Sequence, residues 1–128
     1  MTKNEAGSVI LRIVLGITFF IHGLDKFQAG IGNIAGYFES LGIPGFLAYI
    51  VAFIELIGGI ALILGIGTKI VSVLIAIIML GAIFTAKLSL GFLDGYELDI
   101  ALLAISIYLI LADRTPFSLD YQIAVSKK

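Results

Sequence analysis

Apolar positions along the chain fall into four long blocks parted by more polar connections, and the block at 46–66 constrains the others. It holds 21 residues with one charged group, Glu55, at its middle. As an α-helix rising about 1.5 Å per residue it would be about 30 Å long, the thickness of a bilayer's hydrocarbon core. Ala48, Ala52 and Gly59 share the stripe of Glu55, with Gly58 beside them. Small residues there let a second helix approach closely, and a mid-depth carboxylate needs protein or a cation against it.

The first block, at 7–27, is broken by Arg12. Gly16, Phe19, Gly23 and Lys26 follow Arg12 at helical spacing, so one face carries two cations set among small residues and an aromatic. That face complements the Glu55 stripe. A secretory signal peptide would need a clean apolar core and a small-residue cleavage site, and Arg12 and Asp25-Lys26 argue against it. Ahead of this block, residues 1–7 read as a short polar tail.

Between the first two blocks, Asn33 suits a helix cap, with Ile34, Tyr37, Phe38 and Leu41 on one side and Gly42 and Pro44 as the stop. This pattern predicts a short amphipathic helix at the membrane interface. After a tight turn at 65–69, residues 70–88 form the third predicted span, uncharged from 70 to 86. A connection follows, in which Asp94 and Glu97 suit an N-cap and its capping-box partner. The fourth helix is predicted at 96–112, with Glu97 and Asp99 in the first turns, where the helix dipole favours acids. The tail beyond, with Pro116, reads as short and polar.

The expected architecture is therefore all-α: a polytopic membrane four-helix bundle with a short interfacial helix between helices 1 and 2. The whole of 1–128 is one transmembrane domain. Composition agrees, at 60% hydrophobic, 13% charged and a mean hydropathy of +1.15, against roughly 45–50% apolar and 25% charged for soluble domains. A net charge of −1 supplies no basic footprint for nucleic acid. No cysteine is present, which removes thiolate nucleophiles, dithiol relays and iron–sulfur clusters. Cation counting places Lys3, Lys69, Arg114, Lys127 and Lys128 on one side and Lys26 and Lys87 on the other. The positive-inside rule then puts both termini of a multi-pass cell-membrane protein in the cytoplasm.

Five residues are candidates for a polar core or ligand site: Arg12, His22, Lys26, Glu55 and Asp99. In a level antiparallel hairpin Arg12 stands about 8 Å, and Glu55 about 16 Å, from the same end, so an extended arginine nearly reaches the acid. The pair is either a structural ion pair or a site that binds a polar headgroup, such as a quinone carbonyl, or relays a proton. His22, Asp25, Lys26, Lys87, Glu97 and Asp99 gather at the opposite end, and Asp99, sharing a face with Leu103 and Ser106, is expected to point inward towards Lys26 or Lys87. His22, Lys26 and Asp99 beneath Tyr37, Phe38 and Tyr96 would admit a quinone ring; the aromatics equally suit an ordinary interfacial belt. The lone histidine fits an interfacial hydrogen-bonding role better than a metal site, and no metal is expected. Ser72, Ala76, Gly81 and Ala86 on the third helix suit a homo-oligomer face as well as an internal one.

An ordered set of short motifs resembles the DoxX family of small four-helix membrane proteins. The set is Arg12-Ile-Val-Leu-Gly16, His22-Gly23 with Lys26, Phe38-x-x-Leu-Gly-Ile-Pro44, Glu55-x-x-Gly58-Gly59 with Leu62, Gly65 and Thr68, Glu97-Leu98-Asp99 and Ser118-Leu119-Asp120. The resemblance implies a bundle in the plasma membrane of a bacterium or archaeon. It also implies a membrane subunit or quinone-interacting component of a redox system, with a membrane quinone and a soluble redox protein as partners. The alternative is a non-enzymatic membrane scaffold or small-solute permease.

Overall fold

A computed structural model describes residues 2–112 and 117–126, and every regular element among them is helical. The sequence features at Arg114, Pro116, Lys127 and Lys128 lie outside the described residues. Helix α1 (Lys3–Gln28) begins earlier than the hydrophobic pattern predicts, because the polar residues before it form a capping box. The Glu5 amide donates to the Thr2 hydroxyl at 3.1 Å, and the Thr2 amide donates to the Glu5 carboxylate at 2.9 Å. Helix α2 (Ile31–Ser40) starts after Gly30, whose φ of +95° makes the bend. Asn33 does not cap it; its side-chain amide donates to the Ala29 carbonyl.

Helix α3 (Phe46–Leu64) ends on Gly65 in the left-handed conformation, with the Ile66 amide returning to the Ala61 carbonyl at 2.8 Å. Helix α4 (Thr68–Ala82) widens into a π turn at Ile83–Lys87 and tightens into a 3₁₀ turn at Leu88–Leu90. Helix α5 (Glu97–Leu111) follows a kinked turn in which Asp94 holds a φ of +58°. The Asp94 amide donates to the Glu97 carboxylate at 3.2 Å, half of the predicted capping box. The tail is not merely polar: Leu119–Ser126 forms a final helix, α6.

Among the described residues three stretches are long and apolar enough to cross a membrane: Lys3–Gln28, Phe46–Leu64 and Thr68–Leu90. Helix α5 is as apolar as α4 but stops at 15 residues, whereas α4 with its π and 3₁₀ continuation runs for 23. One cluster of buried side chains joins Leu15 and Phe19 of α1, Leu62 of α3, Ile75 and Met79 of α4, and Leu102 and Leu109 of α5. Large apolar residues also face outward along the same helices, including Ile10, Ile21, Ile57, Ile70, Ile77 and Phe84, while Arg12, Glu55 and Asp99 are buried. Ionic groups inside and aliphatic groups outside is the distribution that a hydrocarbon solvent favours.

Glycines set the contact between α1 and α3. A Cβ on Gly59 would lie 2.5 Å from the Phe20 amide nitrogen, and one on Gly23 would lie 2.6 Å from that of Leu56. Helices α1 and α3 thus meet backbone to backbone, as small residues allow.

Candidate functional site

The α1–α3 contact brings Lys26 to Glu55. The Lys26 ammonium lies 2.8 Å from Glu55 Oε1, with the carboxylate side chain 3% exposed and the lysine side chain 20% exposed. Lys26 belongs to the last turn of α1, where a cation complements the helix dipole. Glu55 sits halfway along α3, between Ala52 and Gly59 on its buried stripe. His22, one turn before Lys26, is exposed, lies within electrostatic range of the same carboxylate, and has its ring 6.1 Å from that of Phe19. Phe27 and Phe53, edge to face at 5.2 Å, join the same two helices close by.

The expected Arg12–Glu55 pair does not form. Gly16 faces Gly59 and Ile63, and Gly23 faces Leu56, so α1 is slid along α3 by about one helical turn, ~5 Å, from the level hairpin. That shift moves Lys26 to the acid and Arg12 to the far end of α3. There Arg12 is buried, and its Nη2 donates to the Phe117 carbonyl at 2.5 Å. Its Nη1 lies against Gly65, where a Cβ would stand 3.0 Å away. Asp120 adds an opposite charge to the same surroundings.

Asp120 is the group that the sequence reading placed only within a motif. Its carboxylate accepts from the Gly67 amide at 2.9 Å and the Thr68 amide at 3.0 Å, closing the N-terminus of α4. Its own amide donates to the Gly65 carbonyl at 2.9 Å. The available signal was negative: a helix opening at Gly67-Thr68 has no acid of its own in its first turn, and an acid from elsewhere in the chain suits that position. Lys69, donating to the Ile110 carbonyl at 3.0 Å, and Ser8, bonded to the Tyr108 hydroxyl, tie the other helices to this end.

Asp99 points inward as its face with Ser106 predicts, and both are buried. Of the two lysines expected as partners, it meets Lys87, whose ammonium is 3.8 Å from Oδ2. The five candidates therefore occupy three places: Lys26 and Glu55 with His22 beside them, Asp99 with Lys87, and Arg12 on the tail. An ammonium has three donors and Glu55 engages one, so the partly exposed Lys26 head retains donors for an oxygen acceptor arriving from the protein's surface.

Comparison with known proteins adds the following. The sequence profile of the DoxX family matches residues 7–88. A Bacillus subtilis (strain 168) protein named "Putative oxidoreductase CatD" is 45% identical over all of this chain and 96% of its own length. The Mycobacterium tuberculosis "Uncharacterized membrane protein Rv3486" is 29% identical over 91% of this chain and 80% of its own. The Escherichia coli "Inner membrane protein YqjF" is 32% identical over 52% of this chain and 50% of its own. No solved structure matches the chain at a significant level.

Proposed function

The chain belongs to the DoxX family, and from that premise we propose that it is the quinone-interacting membrane component of a redox system, with Lys26, Glu55 and His22 as its working polar centre. The Lys26–Glu55 contact carries this reading. It sets an ammonium with spare donors against a carboxylate in the α1–α3 seam, with the imidazole of His22 one turn back along α1. When a quinone carbonyl is bound there, Lys26 donates to its oxygen, and the carboxylate and the imidazole are the groups positioned to pass protons. In this reading a soluble redox partner supplies the electrons. The name of the B. subtilis relative, an oxidoreductase by its wording, agrees with this.

In the same proposal the protein is a four-span bundle of the cell membrane with both termini in the cytoplasm. The spans are 7–27, 46–66, 70–88 and 96–112, the last consisting of α5 with the turn before it, and α2 rests at the interface. The second reading, a non-enzymatic scaffold or permease, is favoured by one observation: Glu55 and Asp99 each meet a cation, which a purely structural set of charges would also do.

The test is retention of quinone. Protein purified in mild detergent from quinone-containing membranes is extracted and its quinone measured against Lys26→Met. The proposal expects retained quinone in the parent protein and background in the variant. Background in both, with unchanged membrane quinone reduction in a strain lacking the protein, supports the scaffold.

A further inference from the structure

Neither Arg12 nor Asp99 takes part in the centre proposed above; Arg12 holds the Phe117 carbonyl, which leaves the buried carboxylate of Asp99 to be accounted for. Its Oδ2 is buried and takes no hydrogen bond from any group among the described residues. The Lys87 ammonium faces that same oxygen at 3.8 Å, beyond the 2.7–3.2 Å of an N–H···O bond. An acid in the first turn of a helix has a bland role, offsetting the dipole. The neighbouring Glu97 already does this while accepting from the Asp94 amide, and it does so at a partly exposed position. Asp99 is instead turned inward, with the rest of the molecule's buried α5 face, where an unmet carboxylate oxygen is costly.

The backbone is also shaped around this pair. Lys87 closes the π turn that ends α4, a distortion that recurs at functional sites. Asp99 follows a kinked turn with a left-handed Asp94. Phe84, exposed, is one turn before Lys87, and Phe92 and Tyr96, edge to face at 5.5 Å, lead into the helix of Asp99. A group that bridged Lys87 and Asp99 would donate to a carboxylate and accept from an ammonium at the same atom, which a hydroxyl oxygen does. Aromatic side chains stand on both flanking turns with aliphatic surface around them, surroundings that suit an aromatic carrier for that hydroxyl.

We infer that Lys87 and Asp99 form a binding site for a phenolic hydroxyl at the α4–α5 connection, separate from the Lys26–Glu55 centre. Asp99 Oδ2 accepts the phenol's proton in a hydrogen bond, and Lys87 donates to the phenol's oxygen. The inference does not require that the chain take part in electron transfer.

The full chain in detergent is titrated with 4-fluorophenol and followed by fluorine NMR, with 4-fluoroanisole as the probe that lacks the donor. Saturable binding of the phenol, absence of a site for the anisole, and weakening by about tenfold or more in Asp99→Asn and Lys87→Gln are expected, from the loss of one charge-assisted hydrogen bond. Lys87 is partly exposed, so Lys87→Gln reports even if Asp99→Asn fails to fold. Glu55→Gln should bind the phenol as the parent does. Equal binding of anisole, binding unchanged in both variants, or loss in Glu55→Gln alone overturns the inference. The last of these results would place the phenol at the α1–α3 centre and leave the proposed function standing.

Discussion

Gly59 meets Gly16 so closely that a Cβ on Gly59 would lie 2.7 Å from the Gly16 carbonyl oxygen. Only backbone lies on either side, so no side-chain rotation relieves the clash. Gly59→Ala is expected to destabilise the protein by about 1–3 kcal/mol, the usual cost of overpacking a filled interior. Gly81, in α4 with nothing within 4 Å of its Cβ position, is the control, and Gly81→Ala should be neutral or stabilising by up to about 1 kcal/mol. Thermal unfolding in detergent distinguishes the two.

The same contact holds Lys26 against Glu55, and that pair answers to single and double substitution differently. Lys26→Met leaves a carboxylate at 3% exposure without its cation and should cost about 3–5 kcal/mol. Adding Glu55→Gln to it should recover most of that loss. Arg12→Met combined with Glu55→Gln should be additive within about 0.5 kcal/mol, because Arg12 and Glu55 share no partner among the described residues. A large coupling there would restore the Arg12–Glu55 pair that the hydrophobic pattern suggests.

Removing the acid from the tail tests the other end. Asp120→Asn exchanges one acceptor oxygen for a donor that faces the Gly67 or Thr68 amide. A loss of about 1–3 kcal/mol is expected from the unmet amide. The 117–126 segment should also become more susceptible to limited proteolysis than in the parent protein.

Helix positions were legible because apolar blocks of span length and inward charges obey the same solvent rule: Arg12, Gly16, Phe19 and Gly23 were read as one face, and all four are buried. The depth of Glu55 on α3 was equally plain. Its partner was not, since register between two helices is set by where glycines let backbones touch, and a shift of about one turn exchanges Arg12 for Lys26. Asp120 lay beyond reach for a related reason. Its partners, the Gly67 and Thr68 amides, are 53 and 52 positions away in the chain, and no periodicity links them. The π turn that Lys87 closes leaves no mark on the sequence pattern, which stays uncharged from 70 up to 86 and so reads as continuous helix.

Reversing the charges of the central pair tests the account most directly. In the double variant Lys26→Glu, Glu55→Lys an ion pair can still form, so accumulation in the membrane should stay near that of the parent protein. An acid at position 26 offers no ammonium to a carbonyl arriving from the surface, and quinone recovered with the purified variant should fall about tenfold or more. Quinone retained by the reversed protein at the parent level would contradict the account and leave Lys26 and Glu55 as a structural tie between two helices.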